Sequence, residues 1–219
     1  MAKRKVAVLI SGRGSNLKAL IDAAADPEFP AEITLVIASR PKAAGLQHAT
    51  DAKITQAVID HKDFESREEF DAAISERLKA AEVDFVCLAG FMRMLSEGFV
   101  DEWRGRLINI HPSLLPAFRG LNVAERMLDA GVKIAGCTVH FVSPEMDAGP
   151  IIGQAAVPVL PGDAPDTLSA RILEQEHLLY PACLRLVTEG RARISGAVVQ
   201  YDNDIKCVGA LINPPTDKP

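Results

Sequence analysis

Asn109, His111 and Asp147 are the side chains of this sequence best suited to joint chemistry. The first two lie in Asn109-Ile110-His111-Pro112-Ser113-Leu114-Leu115-Pro116, the third in Met146-Asp147-Ala148-Gly149. Apolar Leu107-Ile108 leads in, so the first segment reads as a buried strand ending at a turn. Alternate strand residues point the same way, which sets the Asn109 amide beside the His111 imidazole. A donor amide next to a titratable ring suits a reaction that builds negative charge on an oxygen while a proton moves. Asp147, on a loop after a strand ending near His111, is placed to orient the ring. A carboxylate within roughly 4–6 Å raises a histidine's pKa above its ordinary value of about 6.5. Alone, each residue reads as structural: a turn histidine, a strand-end cap, a turn aspartate. Together, at the strand ends of a parallel sheet where ligands collect, they point to catalysis. No Ser, Cys or Lys sits in a nucleophile elbow, which favours direct transfer between two bound substrates over a covalent intermediate.

Ser11-Gly12-Arg13-Gly14-Ser15-Asn16 lies between the first strand and the first helix. Two readings stand level: a tight turn capped by Ser15 or Asn16, or a site where Gly14, Ser15 and Asn16 offer N–H groups to one terminal phosphate. The loop lacks the Gly-Lys-Ser/Thr ending of nucleotide hydrolases. Leu17 occupies the third glycine position of the dinucleotide fingerprint, and Ser39-Arg40 replaces its acidic residue. Gly90-Phe91-Met92-Arg93-Met94-Leu95 follows a strong strand and reads either as a cover for the core or as a seat for a flat heterocycle bonded through main-chain groups. His140 reads as a structural histidine, Arg67 as a first-turn surface arginine, and Glu176 and His177 as solvent-facing charges in mid-helix.

The elements that must position these residues follow from periodicity. Strands are expected at Val6–Ile10, Ile33–Ala38, Ile54–Ile59, Val83–Leu88, Leu107–Ile110, Ile134–Val142 and Ile151–Val159. Helices are expected at Asn16–Ala25, Lys42–Ala52, from a Ser66/Glu69 capping box to Ala81, and at Val123–Ala130. The longest helix is capped by Asp163 and bends at Pro181. The tail pairs Ala197–Tyr201 with Lys206–Ile212 as a hairpin. The first half has a β-α-β-α rhythm with continuous apolar strands, which implies an α/β fold: a mostly parallel sheet with helices on both faces.

The 219 residues suit one domain, with no repeat and no linker to divide it. Within it, about 1–104 form a phosphate-binding half and about 105–219 a catalytic half. Hydrophobic content of 48% and charged content of 24% are those of a globular protein. A net charge of −5 argues against a nucleic-acid footprint. Cys87, Cys137, Cys183 and Cys207 show no metal spacing, and Cys87 reads as a buried free thiol. The apolar run behind the basic start breaks at Gly12, so neither a signal peptide nor a membrane span is expected, and the cytosol is the default address.

Five segments in one order resemble the glycinamide ribonucleotide formyltransferases, folate-dependent enzymes of purine synthesis. They are Leu9–Leu17, Leu88–Leu95, Ile108–Pro116, Gly136–Val142 and Gln175–His177. The resemblance implies a Rossmann-like formyltransferase fold and the co-substrate 10-formyltetrahydrofolate, with no metal. It implies that Gly14, Ser15 and Asn16 hold the substrate phosphate and that Glu176 reaches its ribose. Arg67, Met92, Arg93, Met94 and Leu95, with Ser143, Pro144, Glu145 and Met146, would cradle the folate. Asn109, His111 and Asp147 would carry the chemistry in a monomer or homodimer that meets small molecules, not nucleic acid or membrane. Arg13 and Asn122 vary within what the family is expected to allow, and Asn122 stands where a histidine is often found.

Methionyl-tRNA formyltransferase and formyltetrahydrofolate hydrolase share the three residues. The first is expected to carry a further basic domain and the second a segment before the first strand. An NADP-dependent oxidoreductase would need nicotinamide and leave Asn109 without a use. A non-catalytic binder would lose only affinity on His111→Ala.

Overall fold

The computed structural model describes residues 2–202. Seven strands form one sheet in the order β3-β2-β1-β4-β5-β6-β7. They are β1 (Arg4–Ile10), β2 (Ala31–Ala38), β3 (Thr55–Val58), β4 (Phe85–Leu88), β5 (Leu107–His111), β6 (Ile134–Phe141) and β7 (Ile151–Pro158). The first five run parallel, while β6 and β7 are antiparallel to their neighbours. The expected mostly parallel sheet is thus found. The chain crosses from β1 to β2 on one side and returns through β4 on the other. The crevice beyond the carboxyl ends of β1 and β4 is therefore a topological switch point.

Strand alternation sends side chains to two faces. Val6, Val8 and Ile10 pack with Leu17 and Leu20 of α1 (Ser15–Ala24) and with Tyr180 and Leu184 of α6 (Pro165–Thr188). Ala7 and Leu9 pack on the opposite face with Phe70, Ile74 and Leu78 of α3 (Arg67–Ala80) and with Phe99 and Trp103 at α4 (Glu97–Glu102). A third cluster joins Val123 and Met127 of α5 (Val123–Asp129) to Cys137, Val157, Leu168 and Ile172.

Several expectations need correction. The second helix, α2, covers only Leu46–Asp51, because residues 41–45 make turns after Pro41 and Gly45 donates back to the Gly12 carbonyl. Ala164, not Asp163, caps α6; its N–H donates to Thr167, and Asp163 instead pairs with Arg171. The helix continues through Pro181 to Thr188. At α3, Ser66 accepts from Glu69 N as expected, but the Glu69 carboxylate takes the N–H of Glu65. A hairpin not expected from sequence pairs β9 (Val198–Tyr201) with β8 (Ala192–Ser195) around Gly196 and Ala197, while the expected partner strand of Ala197–Tyr201 falls outside the described residues. Gly196 adopts a φ of 63°, the backbone a two-residue hairpin turn demands. Lys206–Ile212 and Cys207 lie outside the described residues. The short α4 and a 3-10 turn at His61–Asp63 had no clear sequence signal. Among the described residues, no helix is long and apolar enough to cross a membrane.

Candidate active site

The end of β5 and its antiparallel partner β6 deliver the central polar groups. Asn109 lies directly opposite His140, and His111 opposite Thr138. His140 is buried at 2% exposure, and its Nδ1 lies 2.9 Å from the Phe141 carbonyl. A ring that donates there presents Nε2 as an acceptor, and Asn109 Nδ2 donates to it at 3.2 Å. That bond fixes which way the Asn109 amide is turned and leaves its second N–H unclaimed. Burial, the largest influence, pushes the His140 pKa below 6.5, so the neutral ring fits its role; nearby Asp147 acts in the opposite sense. His140 is thus a buried structural histidine, as expected from sequence, and its ring orients the Asn109 amide.

Asp147 arrives by an indirect route. Strand β6 ends at Phe141, opposite Ile108, at the beginning of β5 and not near His111 as expected. Three residues of strand separate those points, about 10 Å. The loop after Phe141 must therefore double back. Phe141 N donates to the Pro150 carbonyl at 2.9 Å, and a Cβ on Gly149 would lie 1.8 Å from the Phe141 carbonyl oxygen. Only glycine permits that approach. Asp147 takes a φ of 52°, a left-handed conformation that aspartate tolerates better than most residues. Its Oδ2 lies 3.4 Å from His111 Nδ1 and accepts Gly120 N–H at 2.9 Å, while Oδ1 stands 3.9 Å from His140 Nε2.

His111, 5% exposed, places Nε2 3.0 Å from the Phe118 carbonyl. Its ring therefore lies between two acceptors, a carbonyl and a carboxylate. Only the doubly protonated imidazolium donates to both. Residues 118–122 are held in turn by Arg126, whose Nη1 donates to the carbonyls of Arg119 and Leu121, and by an Arg119–Glu145 ion pair. Neither the Phe118 carbonyl nor the Gly120 N–H could be found from sequence, because backbone groups leave no residue-type signal.

The glycine loop closes the site from the β1 side. Gly14, with φ 77°, precedes the first residue of α1, and a Cβ there would meet Gly45 Cα at 2.6 Å. Ser15 and Asn16 begin the helix, where N–H groups lack intrahelical partners. Asn16 is buried; its Nδ2 donates to Glu176 Oε2 at 2.7 Å and its Oδ1 has no partner. Glu176 is also buried, a correction to the solvent-facing reading, and burial lifts its pKa above 4.5. Asn16 and the charge of His111 act in the opposite sense. Glu176 is therefore tied directly to the glycine loop through Asn16 and feels the charge of His111 only through space.

The remaining candidates form two groups. Arg67, Met92, Arg93 and Met94 line a cavity of about 530 Å³, together with His61 and Phe64, which sequence reasoning missed. Leu95 packs instead onto the core beneath, as does Val142, which leads into Ser143–Met146. Ser143 to Met146 lie outside that cavity lining. Met146 is half exposed and approaches Gly120; Ser143 Oγ donates to the Glu145 carbonyl. Among the described residues, no three His, Cys, Asp or Glu side chains converge as a metal site would require.

A Rossmann-like sheet with an amide, an imidazole and a carboxylate gathered beyond its strand ends is the architecture of an acyl-type group transferase, and the family comparison agrees with it. The formyl transferase family model matches residues 4–184, and the chain belongs to that family. Within it, the chain is 43% identical over 199 residues to phosphoribosylglycinamide formyltransferase of Haemophilus influenzae, covering 91% of this chain and 94% of that protein. It is 56% identical over 198 residues to the trifunctional purine biosynthetic protein adenosine-3 of Drosophila melanogaster, covering 90% of this chain but only 15% of that protein's length. The solved structure of glycinamide ribonucleotide transformylase 1 from Symbiobacterium toebii superposes with a TM-score of 0.89 at 47% identity, over 91% of this chain and 94% of the other. A formyltetrahydrofolate deformylase from Pseudomonas syringae superposes at 0.85 with 26% identity, over 91% of this chain and 66% of that one.

Proposed function

We propose that this protein transfers the formyl group of 10-formyltetrahydrofolate to the amine of glycinamide ribonucleotide, a step of purine biosynthesis. The observation that carries the reading is the meeting of His111 and Asp147, 3.4 Å apart, beside the oriented Asn109 amide. The substrate amine attacks the formyl carbon, and the carbonyl oxygen becomes negative in a tetrahedral intermediate. Asn109 donates to that oxygen through its free N–H, and the charged His111 ring, whose two N–H groups face Phe118 and Asp147, stabilises it through its charge. Asp147 holds the imidazolium and, with water, helps carry a proton from the attacking nitrogen to the departing folate N10.

The N–H groups of Gly14, Ser15 and Asn16 receive the substrate phosphate. The side-chain amide of Asn16 is engaged by Glu176, so the phosphate contact of that residue falls to its backbone. Glu176 and the unpartnered Asn16 Oδ1 are both acceptors, suited to ribose hydroxyls. The 530 Å³ cavity, with unpaired Arg67 and Arg93 on its wall, suits the anionic tail of a folate. Exposed Met92 and Met94 offer apolar surface to its ring system. The higher identity to the ribonucleotide transferases, 43% against 26% for the deformylase, favours an amine acceptor over water.

The test mixes purified protein with both substrates and follows deformylated folate and formylated ribonucleotide together. His111→Ala and Asp147→Asn should each lower turnover by roughly 10²-fold or more while leaving the protein folded. Normal turnover in both variants would overturn the catalytic assignment. Folate deformylation without ribonucleotide formylation would replace the transferase reading with the hydrolase one.

A further inference from the structure

The proposed reaction makes no use of a set of buried hydrogen bonds behind the loop at residues 90–96. Ser11, at the start of the glycine loop, is 5% exposed, and Ser39, at the end of β2, is fully buried. Ser11 N donates to the Gly90 carbonyl at 3.1 Å, and Met92 N donates to Ser11 Oγ at 2.8 Å. The Ser11 and Ser39 hydroxyls share a hydrogen bond of 2.7 Å. The Ser39 carbonyl lies 3.3 Å from His61 Nδ1, on the wall of the cavity. At the far end of the loop, Ser96 N donates to Asp71 Oδ2 at 2.5 Å, and Asp71 is 2% exposed. Between these two ties, the N–H groups of Phe91, Arg93 and Met94 have no partner among the described residues.

A loop whose ends are fixed and whose middle amides are free is arranged to bind through its backbone. Without the ties, those amides would be distributed over many conformations, and a ligand would have to order them at a cost in affinity. We infer that Ser11 is a positioning residue for the folate loop: its hydroxyl holds Met92 N–H so that the glycine loop of one substrate shapes the binding surface of the other. Ser39 supports that hydroxyl from behind, and Asp71 fixes the opposite end. Ser11 itself touches neither substrate. The inference rests on the assignment of residues 90–95 to folate.

The test uses Ser11→Ala, which removes the acceptor with little change of volume, and Ser11→Thr, which keeps a hydroxyl. Calorimetry with tetrahydrofolate and, separately, with glycinamide ribonucleotide reads each site. Amide hydrogen exchange of the peptide spanning residues 90–95 reads the loop without ligand. Ser11→Ala should weaken tetrahydrofolate binding roughly three- to tenfold, leave ribonucleotide affinity unchanged and speed exchange at Met92. In turnover, KM for the formyl folate should rise with kcat retained, and Ser11→Thr should restore both binding and slow exchange. Unchanged exchange in Ser11→Ala overturns the positioning role whatever the ligand. Faster exchange with unchanged tetrahydrofolate affinity overturns the assignment of the loop to folate instead. Equal weakening of both substrates makes Ser11 a general support of the glycine loop and also refutes the inference.

Discussion

Burial acts on Glu176 and His140 with opposite results, because in each case it disfavours the charged form. It lifts the Glu176 carboxyl above 4.5 and pushes the His140 ring below 6.5. Native Glu176 binds its proton more tightly than the unfolded chain does. Its contribution therefore favours folding at acid pH and is lost as pH rises through the raised value. At neutral pH the ionised carboxylate opposes folding, a cost that the proposed ribose contact would explain. Glu176→Gln should accordingly raise the melting temperature at neutral pH, with the gain vanishing in acid, while weakening ribonucleotide binding. A lower midpoint at neutral pH would show that Asn16 and His111 outweigh burial. For His140 the sign reverses. The unfolded ring takes up a proton before the native one as pH falls below 6.5, so stability drops through the window from 6.5 down to the depressed value. Calorimetric scans should show that acid-side slope diminished in His140→Gln.

The loop from Ser143 to Pro150 shows what separates a legible residue from a legible element. Asp147 stood out from sequence because a carboxylate before Ala148-Gly149 marks a turn of chemical interest. The path that brings it to His111 did not, because it depends on the register of β6 against β5. That register puts the strand end about 10 Å from where the carboxylate is needed, and Gly149 allows the return. Gly149→Ala should therefore cut kcat by roughly 10²-fold, since displacement of a catalytic group by about 1 Å costs that much. Circular dichroism should report an intact sheet. Normal turnover would mean that the loop reaches His111 by another path. Other elements follow the same division. Central strands such as β1 and β4 were legible because both faces are buried and apolar. The β8–β9 hairpin was not, because its two-residue turn, Gly196-Ala197, lacks the Asn-Gly or Asp-Gly signal that marks such turns.

At the scale of the whole molecule, one long helix joins the glycine loop to the core. Helix α6 carries Glu176 to the glycine loop and, one turn later, Tyr180, whose hydroxyl donates to the carbonyls of Leu88 and Ile108 at 3.0 and 3.1 Å. Those carbonyls belong to β4 and β5, the strands that lead into the loop at residues 90–96 and to Asn109. Mid-helix polar residues read from sequence as solvent-facing, since helical spacing alone does not reveal a second packed face. Cys87 and Cys183 lie in the core around Tyr180, and Cys137 lies in the third cluster; all three are free and buried, each with its thiol pushed up to about 12 by burial. A thiol so held is neither accessible nor ionised at neutral pH, so it should react only when the fold opens. Mass-resolved labelling with a thiol reagent should find these three cysteines modified together, at one rate that rises with denaturant as steeply as global unfolding does. Selective labelling of Cys183 under native conditions would show instead that α6, the helix that carries Glu176, detaches from the sheet on its own.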